Sequence, residues 1–291
     1  MGWLILGATG LLGQAFGRKL ALRGVSVRGA ARRGADISLD IADPVALVRL
    51  LDREAPDVVV NCAAVTSLDE CERNPRFAHD VNAAPLKALA SWTRGASAKL
   101  IQISTDHYYS GDGARTHDER SPVMLLNQYA RSKYVGEVYA GENPDALIVR
   151  TNITGARGWR DRPTFSEWAM EAISDRRQVR LFTDYFTSTI DADACAQAVL
   201  DLAEADASGV MNVASRDVSD KWSFVHELAR QSGVSLSWAQ AASVRDMPTP
   251  RAESAGLSVA RAEAALGRRL PSREEVCAAI LAAAGGGVHA V

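Results

Sequence analysis

Gly7-Ala8-Thr9-Gly10-Leu11-Leu12-Gly13 follows directly on the apolar run Trp3-Leu4-Ile5-Leu6, and this junction decides the fold. A strand that stops in a glycine turn and opens into a helix presents unpaired amide N–H groups and the positive end of the helix dipole to an anion. Glycines spaced G-x-x-G-x-x-G allow a tight turn, remove a Cβ where phosphates would sit, and let the helix from Leu11 pack on the first strand. The alternative is an ordinary glycine-rich turn. Placement between a strand and a helix favours a pyrophosphate cradle.

Outward from the turn, short β-branched runs read as buried parallel strands at Val25 to Arg28, Asp57 to Asn61, Lys99 to Ser104 and Ala146 to Arg150. Helical stretches separate them: Pro44 to Glu54, about Pro75 to Arg94, and about Gln128 to Ala140. In the first of these, Asp43 is a fitting N-cap, Pro44 takes the first helical position, and Val45, Leu47, Val48 and Leu51 form an apolar stripe. Repeated β-α order predicts an α/β fold, a doubly wound parallel sheet with ligands outside the carboxyl ends of its strands. Beyond Arg150 the pattern loosens into a Gly, Arg and Trp-rich loop, a helix from Phe165 to Asp175, the strand Val179 to Phe182 and a loop around Tyr185. The predicted organisation is a dinucleotide-binding domain over residues 1–151, rejoined by 191–236. A smaller, largely C-terminal substrate-binding lobe is expected over 152–190 and 237–291, with a frayed end from Gly285 onward.

The 291 residues, 47% hydrophobic with net charge −2, describe a soluble globular chain with no electrostatic footprint for nucleic acid or an anionic membrane. A core strand at the very start leaves no room for a signal peptide, so a cytoplasmic location is expected. Cys62, Cys71, Cys195 and Cys277 form no C-x-x-C pair and read as free buried thiols; no metal site is expected.

Tyr129-Ala130-Arg131-Ser132-Lys133 puts Tyr129 and Lys133 on one helix face, one turn apart. A neighbouring ammonium favours a phenolate, so such a pair can exchange protons near neutrality. Alone, the pair could equally be a surface coincidence. The strand ending in Ser104-Thr105-Asp106 delivers two hydroxyls and a carboxylate to the edge that carries the glycine turn. Thr105 there could hold a substrate carbonyl against the tyrosine, whereas Ser104 suits a turn or cap, and Asp106 fits either part.

With these stretches the chain resembles the extended short-chain dehydrogenases/reductases, and most of all the dTDP-4-dehydrorhamnose reductase family of sugar-nucleotide reductases. The likeness is carried by Gly7 to Gly13, Leu39 to Asp43, Pro56 to Thr66, Val81 to Ala83, Ile103 to Asp106, Tyr129 to Lys133 and Arg150 to Asn152, with weaker echoes at Asp184 to Asp193 and Pro250 to Leu257. It implies a Rossmann sheet in which Tyr129 protonates the substrate oxygen, Lys133 holds the ribose and tunes the tyrosine, and Thr105 orients the carbonyl, with Asp106 beside it. It implies a cofactor wall of Gly7, Thr9, Gly10, Leu11, Leu12 and Gly13, then Asp40 and Ile41 beside the adenine, Ala63, Ala64 and Thr66, with Asn82 and Ser104 nearby. The residues' own alternatives are a turn at Asp40, strand-end core at the alanines, and helix packing at Asn82.

At the end of the second strand stands Arg28-Gly29-Ala30-Ala31-Arg32-Arg33-Gly34, with no acid before Asp36. Two arginines suit a 2′-phosphate, so NADPH is the expected cofactor and NADH the second choice. Asn152 and Ile153 stand where the family commonly has a tryptophan, Ser188-Thr189 where it has Pro-Thr, and Ala130 where it has Gly. Asn152 and Arg251 are the expected substrate contacts, and Arg157, Arg160, Arg162 and Trp159 are loop residues that could grip a nucleotide diphosphate, base or sugar. The leading expectation is an NADPH-dependent reductase of a nucleotide-activated keto sugar, with a homodimer allowed by the apolar helix faces. Its rivals are an epimerase or dehydratase of the same superfamily, and a non-catalytic NADP-binding regulatory subunit like that of methionine adenosyltransferase.

Overall fold

The computed structural model describes residues 1–159 and 161–286. Its centre is a seven-stranded sheet of Gly2–Leu6 (β1), Ser26–Ala31 (β2), Ile37–Ser38 (β3), Val58–Asn61 (β4), Lys99–Ile103 (β5), Leu147–Arg150 (β6) and Gly209–Asn212 (β7). The order is β7-β6-β5-β4-β1-β2-β3, and every pairing is parallel. Strand order therefore reverses between β1 and β4, and the crevice at their carboxyl ends is where such a sheet takes its ligand.

Sheet composition follows from burial on both faces. Val58, Val59 and Val60 are each at most 1% exposed, which accounts for an unbroken β-branched run where a one-sided sheet would alternate. Each valine so buried contributes roughly 1.5–3 kcal/mol. The helix Pro44–Glu54 begins where the sequence predicts. Its Asp43 carboxylate accepts from the Val45 and Ala46 N–H groups at 3.0 Å, a cap of about 1 kcal/mol.

One predicted helix is corrected. The stretch from Pro75 to Arg94 forms two helices, Pro75–Asn82 and Ala84–Gly95, separated at Ala83. Pro85 supplies no N–H, and its ring would press on the carbonyl four residues back, so one helix cannot run through it. The break frees Asn82 for a task described below.

Past β6 the chain builds short sheets above the crevice. Asn152–Thr154 pairs with Thr189–Asp191, and Val179–Phe182 pairs with Ala239–Ala242. Phe186–Thr187 lies between Ser219–Asp220 and Ser254–Leu257, which runs on to Thr116–His117. Residues 237–286 divide: the strands above stay over the crevice, whereas Ala260–Leu266 packs on the helix Ala192–Glu204 and on β7, with Arg261 donating to the Val210 carbonyl at 2.8 Å. Arg273–Gly286 packs on Lys221–Gln231, and Val276, Cys277 and Ile280 share one buried cluster with Trp3 and Phe16 of the sheet half. Residue 160 and residues 287–291 lie outside the described residues, and with them the expectations for Arg160 and the last five positions of the tail. Among the described residues no helix is long and apolar enough to cross a membrane.

Candidate active site

The glycine turn is built by close approach. Gly7 has φ +78°, and a Cβ there would stand 2.7 Å from the Ala63 nitrogen; one on Gly13 would stand 2.8 Å from the Ala8 Cα. Gly10 caps the helix Leu11–Leu22 without a side chain, and the first turn holds no acid. Amides at this helix end therefore face the crevice uncapped, which fits a pyrophosphate. Leu12 is buried in the core, and Leu11 lies half-buried beside Gly155. The Thr9 carbonyl accepts from Gln14 at 2.9 Å.

Around the turn, Arg32 and Arg33 are exposed, and the loop they form abuts it: a Cβ on Gly34 would lie 3.7 Å from the Thr9 methyl. Asp36 accepts from the Gly29 N–H at 2.8 Å. Asp40 makes a turn, its carboxylate accepting from Ala42 at 3.0 Å, while Ile41 is buried under the sheet. Ala63 and Ala64 are half-buried at the mouth of β4, and Thr66 is exposed. Cys62 is half-buried at the same strand end; the other three cysteines are buried, and all four are free.

The helix Gln128–Ala140 is anchored at its start and along its length. Its N-cap Asn127 accepts from the Ala130 N–H at 2.8 Å and donates to the Pro250 carbonyl at 2.9 Å, tying the helix to the segment that carries Arg251. Asn82 pins its middle, exchanging hydrogen bonds with the Val65 backbone and donating to Ser132 at 2.9 Å. Tyr129 and Lys133 are buried on its inner face. The Lys133 ammonium donates to the Ile103 carbonyl at 2.7 Å, and burial lowers its pKa to about 8. The expected lowering of the Tyr129 phenol by Lys133 is reversed: burial pushes it well above its ordinary value, Asp106 adds to the rise, and the Thr105 hydroxyl works against it. Desolvation exceeds any help from a lysine committed to a carbonyl.

Ser104 spends its hydroxyl on structure. It donates to Glu137 at 2.6 Å and lies 3.0 Å from the Tyr108 hydroxyl. Glu137 also receives the Arg150 guanidinium, at 2.7 Å from its terminal nitrogen, and Arg150 donates to Tyr109 at 3.0 Å. Both partners are about 5% exposed, so removing one would cost about 3–5 kcal/mol. The network clamps the helix Gln128–Ala140 to β5 and β6.

Toward the lobe, polar side chains converge from six segments. Asp106 is buried, and desolvation raises its pKa to about 7, opposed by Lys221 and by the Asn152 amide that donates to it at 2.8 Å. Thr189 in turn donates to Asn152 at 3.0 Å and shares a 2.9 Å contact with Thr187. Thr189 and the departing Asn152 thus form one chain that fixes Asp106. Ser188 accepts from the Leu257 N–H at 3.2 Å. His107 stands edge-on to Tyr129, ring centroids 5.6 Å apart, and its Nε2 meets the Tyr185 hydroxyl at 2.8 Å. Burial, with Arg251 and Lys221 adding to it, lowers the His107 pKa to about 4. Arg251 follows Pro250, whose carbonyl holds Asn127, and its Nε is buried without a partner. Arg157 is turned aside: it stacks on Trp159 at 4.2 Å and donates to the Arg162 carbonyl.

Tyr129, Lys133 one turn on, the strand-end Thr105 and the uncapped glycine turn thus share one crevice. The family model for the RmlD substrate binding domain matches residues 1–285. The chain belongs to this family. A relative from Haloferax volcanii, a probable low-salt glycan biosynthesis reductase, is 32% identical over 96% of this chain and 97% of its own. The dTDP-4-keto-6-deoxy-D-glucose reductase of Streptomyces niveus is 31% identical over 86% and 83%. In fold, the chain is similar to a dTDP-4-dehydrorhamnose reductase from Bacillus anthracis in complex with NADP, with TM-score 0.87 at 21% identity over 97% and 98% of the two chains. Membership makes this chain one of the sugar-nucleotide oxidoreductases built on the extended short-chain dehydrogenase/reductase fold.

Three site residues, His107, Tyr185 and Lys221, escape the sequence reading. His107 follows Asp106 directly, so its place at a strand end was a usable signal. Tyr185 and Lys221 come from loops and a helix start far along the chain, and nothing local marks them.

Proposed function

We propose that the protein reduces the keto group of a nucleotide-activated deoxy sugar with NADPH, of the dTDP-4-dehydrorhamnose type that its relatives' names describe. The observation that carries this reading is the meeting of Thr105, Tyr129 and Lys133 at the carboxyl edge of β5, beside the uncapped glycine turn. Bound in that turn, NADPH supplies hydride. Gly7 to Gly13 hold its pyrophosphate through backbone amides, Arg32 and Arg33 bind the 2′-phosphate, and Lys133 holds the ribose. The Thr105 hydroxyl donates to the substrate carbonyl, and Tyr129 gives that oxygen its proton. Tyr129 suits a donor because burial keeps it protonated at neutral pH. Asp106, fixed by Asn152, accepts from a sugar hydroxyl, and Arg251 binds the diphosphate.

An NADPH-oxidation screen against nucleotide-activated 4-keto sugars tests this. One NADPH consumed per product formed is expected. Conversion without net consumption would make the protein an epimerase or dehydratase, and no oxidation with any keto sugar would overturn the reductase reading. A cytoplasmic location and a homodimer belong to the same reading, checked by cell fractionation and light scattering.

A further inference from the structure

Lys221 has no part in the chemistry above, yet the fold sets it with care. It opens the helix Lys221–Gln231 directly behind Asp220, whose carboxylate caps the helix by accepting from the Ser223 N–H at 2.6 Å. Its Nζ lies 4.4 Å from the Phe165 ring centroid and 5.4 Å from that of Tyr185. Phe165 packs in turn on Phe224, one turn along the same helix, with centroids 5.9 Å apart. The ammonium is thus held by aromatic faces, and among the described residues no carboxylate comes within 4.0 Å of it.

Two features of this setting work against the charge, despite the aromatic faces around it. A cation at the first position of a helix opposes the positive end of the dipole. Burial lowers its pKa to about 8, and only the charge of Asp106 pulls it back. The His107 Nδ1 and the Arg251 Nε, both buried without partners, belong to groups that Lys221 or its neighbours touch electrostatically. A half-buried cation with no ion pair among the described residues, in a cluster that holds unsatisfied buried nitrogens, fits a pocket whose missing partner is a polar ligand.

We infer that Lys221 is a specificity-determining residue: its ammonium donates to, and the Asp106 carboxylate accepts from, neighbouring oxygen substituents of the sugar ring held over Tyr129. The inference rests on the sugar-nucleotide reading and adds the recognition of a polyhydroxy ring at its reacting end. The ammonium lies over the Phe165 and Tyr185 rings and is not paired with Asp106, which leaves both groups free to meet the ring.

Calorimetric titration of the NADP-loaded protein with dTDP and with dTDP-rhamnose tests it, using wild type, Lys221→Met and Lys221→Arg. Wild type should bind the sugar nucleotide more tightly than dTDP. Lys221→Met should bind the sugar nucleotide about ten- to hundredfold more weakly, the loss of one charge-assisted hydrogen bond, with dTDP affinity unchanged. Its melting temperature should stay equal or rise, because a cation leaves the helix start; Lys221→Arg should keep part of the affinity. Unchanged binding of dTDP-rhamnose by Lys221→Met overturns the inference, as does an equal loss for dTDP, or a wild type that gains nothing from the sugar. The reductase reading fails separately, if wild type shows the sugar-dependent gain but oxidises no NADPH with any keto sugar.

Discussion

The glycine turn and the reacting end of the crevice are built on opposite principles. The turn is seven consecutive residues that leave backbone amides uncapped, and at Gly7 and Gly13 a Cβ would crowd neighbouring backbone. The reacting end is assembled from side chains on six segments, with Thr105, Asp106 and His107 at one strand end and Tyr129, Asn152, Tyr185, Lys221 and Arg251 brought in from elsewhere. A backbone site needs only local conformation. A side-chain site needs the whole fold, and desolvation then moves its titratable groups far from their ordinary values.

If the two ends are separable, substitutions should divide cleanly between them. The largest effect belongs to Tyr129→Phe, which should lower turnover by on the order of 10²–10⁴-fold while NADPH affinity, read by fluorescence titration, stays at the wild-type value. A Tyr129→Phe protein with full activity would break the division. At the other end, Arg32→Ala with Arg33→Ala should weaken NADPH about ten- to hundredfold and leave NADH unchanged in steady-state kinetics. Gly13→Ala should cost about 1–3 kcal/mol in urea unfolding, since its Cβ meets the Gly7 carbonyl and Ala8, and should weaken both cofactors.

The smallest effect sharpens the contrast through pH. Because burial raises Asp106 from 3.8 to about 7, the folded protein holds a proton there that the unfolded chain releases. Its contribution is fully favourable below about pH 4 and is lost as pH rises through 7. Asp106→Asn should therefore melt a few degrees higher than wild type at pH 8, with the gain vanishing near pH 4 in thermal scans. A gain that does not depend on pH would mean that Asp106 is not desolvated.

Local elements were legible because their determinants are local. Asp43 and Pro44 start a helix at the predicted residue, the helix Gln128–Ala140 keeps its expected bounds, and the runs at Val58 and Leu147 form strands within a residue of expectation. The failure at Ala83 is instructive: the apolar spacing continues across it, yet Pro85 forbids one helix, and periodicity does not register a missing N–H. For Ser104 the ordinary structural part was legible, but its partner Glu137 was not. The lysine that was expected to lower the Tyr129 phenol stood on the right face of the helix, and burial still decided the sign.

By itself, the sequence determined the doubly wound sheet, the glycine turn between its first strand and helix, and the shared helix face of Tyr129 and Lys133, because strand–turn–helix order and helical spacing are properties of neighbouring residues. Tertiary structure alone decided that Asn152 and Thr189 hold Asp106, that Arg251 reaches the helix Gln128–Ala140 through Pro250 and Asn127, and that Lys221 lies between two aromatic rings. These are contacts between residues up to 123 positions apart, and Asp106 and Lys221 take their shifted pKa values from how much water the surrounding fold removes.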